Sequence, residues 1–232
     1  RLRTAMRGIR IGSAFGIPIK LDLTFLLVLP FFAWLIGNDV AQLTGVVNDL
    51  FGSAIDVGVL TAGSMQWVLG AAAALGLFVC VLFHEFGHSL VAMRFGYEID
   101  SITLWLFGGV ASFAEMPEDW RQELSIAIAG PIVSVALGGI SYVAFLALPA
   151  TLDPVKFVIG YLALTNVVLA VFNMLPGFPM DGGRVLRALL ARNRPHARAT
   201  QIAAEVGKVF AFLLGLFGLF ANLFLVALAF FI

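Results

Sequence analysis

Charged residues, cysteine and histidine are all scarce in this sequence of 232 residues. Only 12% of the residues are charged, whereas soluble domains carry roughly 25%. The single cysteine, Cys80, excludes an intrachain disulfide. The formal net charge is zero, so there is no basic field to attract nucleic acid, and no nucleic-acid partner is expected. With a mean hydropathy of +1.00, the composition indicates a multi-pass protein of the lipid bilayer.

Long apolar runs predict six transmembrane helices, each of which needs about 20 residues. The last run is too long for one helix, and we divide it near Phe220-Ala221-Asn222. The predicted spans are residues 23–37, 67–94, 124–148 and 157–175, with two more within residues 199–232. Residues 1–232 are therefore expected to form a single polytopic membrane domain. Because the sequence stops inside an apolar run, we expect a further C-terminal regulatory domain in the longer protein.

Basic residues are unevenly distributed between the predicted loops. If the N-terminus is inside, every one of the 14 lysines and arginines except Lys156 falls on the inner side. This asymmetry follows the positive-inside rule and supports the number of spans. It predicts a multi-pass protein of the cell membrane with a cytoplasmic N-terminus.

Two segments have the character of β-strands instead of apolar helices, the first through its alternation and the second through its β-branched and aromatic residues. Residues 9–23, which contain Gly12, Gly16 and Pro18, predict a hairpin, and residues 99–113 predict a second small sheet. Both fall on the cytoplasmic side, whereas the Gly-rich outer loop, residues 38–66, predicts at most a small amphipathic cap. The expected fold class is an all-α membrane protein of six transmembrane helices with small β-hairpins or a sheet on the cytoplasmic side.

Two of the three histidines lie in the pentapeptide HEFGH, residues 84–88, inside the second predicted span. His84 and His88 are four residues apart and share one helical face, a spacing that binds zinc, with Glu85 able to act on a bound water. Ionisable groups at membrane depth are costly and are by default interpreted as functional. The alternative is a buried, hydrogen-bonded cluster that holds no metal.

A third ligand is needed, because catalytic zinc commonly has three protein ligands. His196 lies in a basic inner loop, and we interpret it as a solvated surface histidine. Asp181 is the better candidate, because two prolines break the fourth span just before it and Gly182 and Gly183 permit a close approach of the chain. The alternative for Asp181 is a turn or N-cap residue.

Four motifs together resemble the site-2 protease family of intramembrane zinc metalloproteases: HEFGH at 84–88, GGVAS at 108–112, AGP at 129–131 and NMLPGFPMDGGR at 173–184. The layout is similar to the archaeal and bacterial branch without a PDZ insertion, whose members often carry C-terminal CBS domains. The resemblance implies one Zn²⁺ per chain, held by His84, His88 and Asp181, with Glu85 as catalytic base. It also implies a role near the active site for Asn173, whose alternative is an interhelical hydrogen bond.

The same resemblance implies an intramembrane zinc metalloendopeptidase that cuts peptide bonds in or near the transmembrane segment of a membrane protein, in regulated intramembrane proteolysis. The expected partners are a lipid bilayer and a transmembrane protein or peptide substrate, and a homo-oligomer stays open. A helical substrate must unwind before attack. We expect the strand at residues 104–111 to accept it by β-augmentation, with Gly108, Gly109, Val110 and Ala111 at the contact. The alternative is a purely structural hairpin.

Two other functions fit part of this pattern. A transporter also carries histidine and glutamate in its spans, but it needs polar groups along a path across the bilayer. The outer halves of the predicted spans are nearly all apolar, which favours a pocket open to one side. An inactive scaffold of the same fold conflicts with the complete HExxH motif and Asp181.

Overall fold

A computed structural model describes residues 8–105, 108–113 and 117–221, which form eight α-helices and four β-strands. In chain order they are β1 (Gly8–Ala14), β2 (Ile17–Asp22), α1 (Phe25–Asn38), α2 (Val40–Phe51), α3 (Val57–Thr61), α4 (Met65–Arg94), β3 (Ile99–Trp105), β4 (Gly108–Phe113), α5 (Trp120–Ala147), α6 (Asp153–Asn173), α7 (Asp181–Ala191) and α8 (His196–Ala221).

Four of the described helices, α4, α5, α6 and α8, are each long and apolar enough to cross a membrane. The first predicted span, residues 23–37, corresponds to the short helix α1, whose 14 residues measure about 21 Å, less than a hydrocarbon core of about 30 Å. After a bend of 69° the chain continues into α2, and the two helices together pass the same test of length and composition. The described residues thus provide four or five candidate spans. The predicted sixth span follows residue 221 and lies outside them.

The two predicted β segments form one sheet of four strands in the order β1-β2-β3-β4. Both hairpins are antiparallel, as expected, but β2 and β3 pair in parallel, with Ile19 opposite Ile102. The residue pattern did not predict the pairing of β2 with β3, because the two strands are far apart in the chain and α4 lies between them. Phe15 and Gly16 connect β1 to β2 with positive φ angles of 53° and 80°, the backbone of a two-residue hairpin turn.

The predicted strand at residues 104–111 is wrong as a single element. Leu104 and Trp105 end β3, β4 begins at Gly108, and the two strands pair with Leu104 opposite Gly109. The chain therefore reverses between Trp105 and Gly108, and the two residues between them lie outside the described part. Leu104 is buried, so only the β4 part of the predicted segment forms an edge of the sheet.

The sheet is fixed to the helices through the side of α4 that faces away from the two histidines. Phe86 lies about 200° around the helix from His84 and packs with Ile17, Ile19 and Ile102 of the sheet. Burial of these side chains stabilises the contact by about 25 cal/mol per Å² of apolar surface. The motif helix therefore packs against the sheet on one side and leaves its histidines on the other.

The outer loop forms a helical cap, and it is more ordered than the sequence suggested. The helices α2 and α3 bury Val40, Val47 and Leu60 against Phe145 of α5 and Phe157 of α6. The side chain of Asp56 accepts a hydrogen bond from the Gly58 N–H and so caps α3. This end of the bundle is closed by apolar packing.

Two glycines of α4 allow neighbouring helices to approach closely. At Gly70, an added Cβ would overlap the Ala33 carbonyl oxygen and lie 2.7 Å from the Gly37 nitrogen of α1. At Gly87, within the HEFGH motif, it would lie 2.8 Å from the Ala129 carbonyl oxygen of α5. Small residues at such crossings let helix backbones pack directly in a membrane.

The α1–α4 crossing yields a stability prediction. Gly70→Ala should force the two backbones apart and lower the free energy of unfolding by about 1–3 kcal/mol, the usual cost of overpacking. Thermal unfolding in detergent measures the effect. Gly139→Ala is the matched control, because no atom lies within 4 Å of the added carbon in α5. Equal melting temperatures for the two variants would contradict the close crossing.

Candidate metal centre

Three potential ligands converge at a buried point between α4 and α7. Nε2 of His84 and Nε2 of His88 each lie 3.1 Å from Oδ2 of Asp181, and the two nitrogens lie 3.2 Å apart. All three residues are buried, with exposed fractions of 3% for His84, 3% for His88 and 8% for Asp181. They are the only group of three or more His, Cys, Asp or Glu residues with metal-site geometry in the described ranges.

Contacts on the far side of each imidazole fix the direction of its free nitrogen. Nδ1 of His88 lies 2.7 Å from the Ile126 carbonyl oxygen, which can only accept a hydrogen bond. Nδ1 therefore carries a hydrogen, and in the neutral ring Nε2 has the lone pair that a metal ion would take. Nδ1 of His84 lies 2.8 Å from Oγ of Ser134. Both partners belong to α5, so α5 orients the two rings, as outer partners orient histidine ligands in metal sites.

The spacing of the three ligand atoms fits a metal ion. Tetrahedral zinc with bonds of about 2.0–2.1 Å places its ligand atoms about 3.3 Å apart. The separations here are 3.1–3.2 Å, so an ion fits with only a small expansion. At this range in a buried site, the Asp181 oxygen and the Nε2 lone pair of His88 need a positive charge between them, either a proton or a metal ion. The donor set therefore fits a divalent metal.

Asp181 reaches the site because the chain turns back sharply after α6. An added Cβ on Gly183 would lie 2.7 Å from the Gly177 carbonyl oxygen, and one on Gly182 would overlap the carbonyl oxygens of Met174 and Leu175. The close approach expected at these two glycines is therefore present. Burial alone would raise the pKa of Asp181, but when His88 and His84 carry a proton on Nε2, their charge and hydrogen bonds lower that pKa below its ordinary value. The carboxylate is thus ionised at neutral pH, as a metal ligand must be.

Glu85 is partly buried and lies outside the ligand group, between α4 and β4. Its side chain contacts Gly109 so closely that a Cβ on Gly109 would overlap the Glu85 Cγ and lie 3.2 Å from Oε1. Gly109 therefore has a structural reason to be glycine. The backbone of β4 and the carboxylate of the motif helix are direct neighbours.

The structure puts Asn173 and His196 in settings that differ from those expected. Asn173 donates a hydrogen bond of 2.9 Å from Nδ2 to the Leu169 carbonyl oxygen within α6, which is not the alternative interhelical bond. His196 lies outside the group of three potential ligands, is only partly exposed, and has its Nε2 3.6 Å from Oε2 of Glu123. Its position at the start of α8 turns it towards the bundle.

The β4 residues proposed for substrate binding follow one another along an edge of the sheet. Gly108, Gly109, Val110 and Ala111 pair with β3 on one side, and no other described strand pairs with β4 on the other. The backbone of this strand is therefore placed as the substrate proposal requires. The contact to Glu85 is made by Gly109.

Sequence reasoning missed the contribution of α5. Gly130 lies against both imidazoles, Ser134 and Ile126 hold them, and Glu123 is a fully buried carboxylate near the start of the helix. The AGP motif, residues 129–131, identified this part of α5 but did not indicate that the helix contacts the imidazoles. The available signal was that Glu123, Gly130 and Ser134 share one face of an otherwise largely apolar helix.

Three comparisons with known proteins agree with this site. Residues 72–158 and 150–214 match peptidase family M50. A putative zinc metalloprotease of Synechocystis is 38% identical over 208 residues (88% of this chain, 50% of that protein), and a zinc metalloprotease of Methanocaldococcus jannaschii is 36% identical over 227 residues (97% and 58%). The chain thus spans little more than half the length of these relatives.

A solved structure, the site-2 protease from Methanocaldococcus jannaschii, is similar to the chain over nearly its whole length. The TM-score is 0.62 at 33% sequence identity, covering 97% of this chain and 91% of that one. At this identity and coverage the likeness extends to the whole bundle and sheet.

Gly130 yields a prediction for the metal centre. An added Cβ there would overlap Nε2 of His88 and lie 2.7 Å from Nε2 of His84, so Gly130→Ala should displace the ligand nitrogens. We expect metal affinity to fall by about tenfold or more. Metal content after dialysis, measured by atomic emission, tests this, with Gly139→Ala of the same helix as the control. Equal metal content in both variants would contradict the close contact.

Proposed function

Because the chain belongs to peptidase family M50, the site-2 protease family, we propose that it is a zinc metalloendopeptidase that cuts membrane proteins in or beside their transmembrane segments. The observation that carries the proposal is the convergence of His84, His88 and Asp181 within 3.1–3.2 Å of one another inside an apolar bundle. A carboxylate of the same helix, Glu85, lies beside them. The whole activity and the substrates of the longer protein are part of this proposal.

Zinc would be held by Nε2 of His84, Nε2 of His88 and Oδ2 of Asp181, one ion per chain. Bound zinc supplies a Lewis acid that polarises a peptide carbonyl and makes water acidic. Ile126 and Ser134 keep both imidazoles turned towards the ion. The burial of all three ligands leaves little bulk water to compete with the substrate.

Glu85 is the proposed general base. It follows His84 by one residue, about 100° around α4, so it lies beside the ligands without joining them. Its carboxylate would take a proton from the attacking water and deliver it to the leaving amine. The contact with Gly109 holds the side chain between the metal centre and the sheet edge.

Asn173 is retained as a candidate oxyanion donor. Its amide group has two N–H donors, and the Leu169 carbonyl oxygen takes one of them. The second N–H could donate a hydrogen bond to the substrate carbonyl oxygen and so stabilise negative charge on it.

The β4 edge is the proposed substrate platform. An extended peptide added to β4 at Gly108, Gly109, Val110 and Ala111 would run beside Glu85, because Gly109 already touches that side chain. Main-chain hydrogen bonds to the strand would hold the unwound segment of a transmembrane substrate in place. The lipid bilayer and such a substrate are the proposed partners.

The proposed orientation places the sheet and the metal centre towards the cytoplasm. Arg94 ends α4 next to β3, and Arg192 and Arg194 are exposed in the α7–α8 connection, so several basic side chains lie at this end. The opposite end is closed by the apolar cap of α2 and α3. This one-sided arrangement supports a protease of the cell membrane with an inner N-terminus and disfavours a transport path across the bilayer.

Glu85→Gln tests the proposed base. The purified variant should bind zinc as the wild type does but cleave a membrane-spanning peptide in proteoliposomes about 10²–10⁴ times more slowly. Zinc content and cleavage products are measured on the same sample. Glu98→Gln makes the same change at an exposed position outside the site and should leave both unaffected. Cleavage by Glu85→Gln at the wild-type rate would remove Glu85 from the mechanism.

Gly109→Ala tests the contact between β4 and the base. The added carbon would push the Glu85 side chain aside, so cleavage should fall at least about tenfold while zinc is retained, since displacement of a catalytic group by 1 Å can cost about 10²-fold. The matched control is Gly12→Ala in β1 of the same sheet, where no atom lies within 4 Å. Equal cleavage rates for the two variants would contradict the role proposed for Gly109.

A further inference from the structure

We propose that Glu123 of α5 is a positioning residue for the third metal ligand, Asp181, and that it acts through Arg187 of α7. The proposal rests on the zinc site proposed above and extends it to a buried ion pair outside the ligand group. By holding α7, Glu123 would determine the position of the Asp181 carboxylate relative to the two histidines.

Glu123 and Arg187 form a buried ion pair with a defined geometry. Glu123 is fully buried, and its Oε1 accepts hydrogen bonds from Nη2 and, at 2.7 Å, from Nε of Arg187. The Arg187 guanidinium also lies 5.5 Å from the ring centre of Phe178, in the turn that leads to Asp181. A buried ion pair often stabilises a protein no better than apolar residues of the same volume. Its fixed fork geometry is the property that apolar residues lack.

The α7 helix needs an external support to hold Asp181 in place. It has 11 residues, and helices of this length are marginal on their own. Met180 provides no side-chain cap at its start. Asp181 is its first residue, and Arg187 follows about 9 Å further along the axis. The metal centre and Glu123 thus hold the helix at two separate points.

One face of α5 supplies the support for all three ligands. Glu123, Ile126, Gly130 and Ser134 are spaced by three or four residues and so lie on the same side of the helix. Ile126 and Ser134 hold the imidazoles, and Glu123 holds the helix that carries Asp181. A single rigid helix therefore determines the separation of the ligand atoms. Oε2 of Glu123 has no hydrogen-bond partner in the described residues and faces Nε2 of His196 at 3.6 Å.

The decisive variant replaces both members of the pair, Glu123→Met with Arg187→Met. This change keeps a similar side-chain volume and removes both charges of the pair together, so the fold should persist. If the pair positions Asp181, zinc affinity should fall by about 10–100-fold, the range seen when outer-shell partners of metal ligands are lost. The second variant, Arg187→Lys, keeps the positive charge but loses the contact of two guanidinium nitrogens with Glu123. It should also lower the zinc affinity.

The experiment uses the whole chain in detergent micelles and two readouts besides cleavage. Competition with a chromophoric chelator gives the zinc dissociation constant, and the absorption spectrum of the Co²⁺-substituted protein reports coordination geometry. Thermal unfolding of EDTA-treated protein shows that each variant is folded. The matched control is Tyr97→Phe, which removes the 2.7 Å hydrogen bond from Tyr97 to the neighbouring α5 residue Gln122 but leaves α7 untouched.

Weaker zinc binding and an altered Co²⁺ spectrum in the folded pair variants, with Tyr97→Phe unchanged, are the expected result. Wild-type zinc affinity in both pair variants would overturn the positioning role and leave the zinc site intact. An equal loss of affinity in Tyr97→Phe would also overturn it, because any disturbance of α5 would then suffice. A wild-type chain that binds no zinc would refute the metal site itself, and the positioning role with it.

Discussion

The rest of this structure depends on the cost of keeping three metal-ligand side chains out of water. His84, His88 and Asp181 are nearly fully buried in a bundle of apolar helices, where unpaired polar groups are strongly destabilising. Each neighbouring element makes contacts that offset this cost. α5 supplies partners for the imidazoles, the turn after α6 returns the carboxylate, and the sheet anchors the opposite face of the motif helix. The arrangement of the bundle follows from satisfying these groups.

The sequence predicted the parts of the site that depend on local spacing. The two histidines share a face because they are four residues apart, and Asp181 was identifiable because prolines and glycines surround a carboxylate after an apolar span. The partners Ser134 and Glu123 depend on how α5 crosses α4 and α7, which no local pattern encodes. The interpretation of Asn173 suffered from the same limit, since its amide bonds to Leu169 of its own helix.

The fold was predictable to a similar degree. Hydropathy indicated the long helices α4, α5, α6 and α8 and the short first helix, but not the 69° bend that leads from α1 into α2. Alternation indicated both hairpins, but their union through the parallel β2–β3 pair depends on tertiary placement. The segment at 104–111 was misjudged because its apolar character continues through a reversal of the chain.

The separation of the ligands along the chain has a consequence for biosynthesis. The two histidines lie on α4, whereas Asp181 follows 97 residues after His84. During synthesis the motif helix is therefore made long before its third ligand, and two histidines alone form an incomplete site. A nascent chain consequently has an incomplete set of ligands while its first helices are made. The order of the residues delays completion of the metal centre until α4, α5 and α6 have been synthesised.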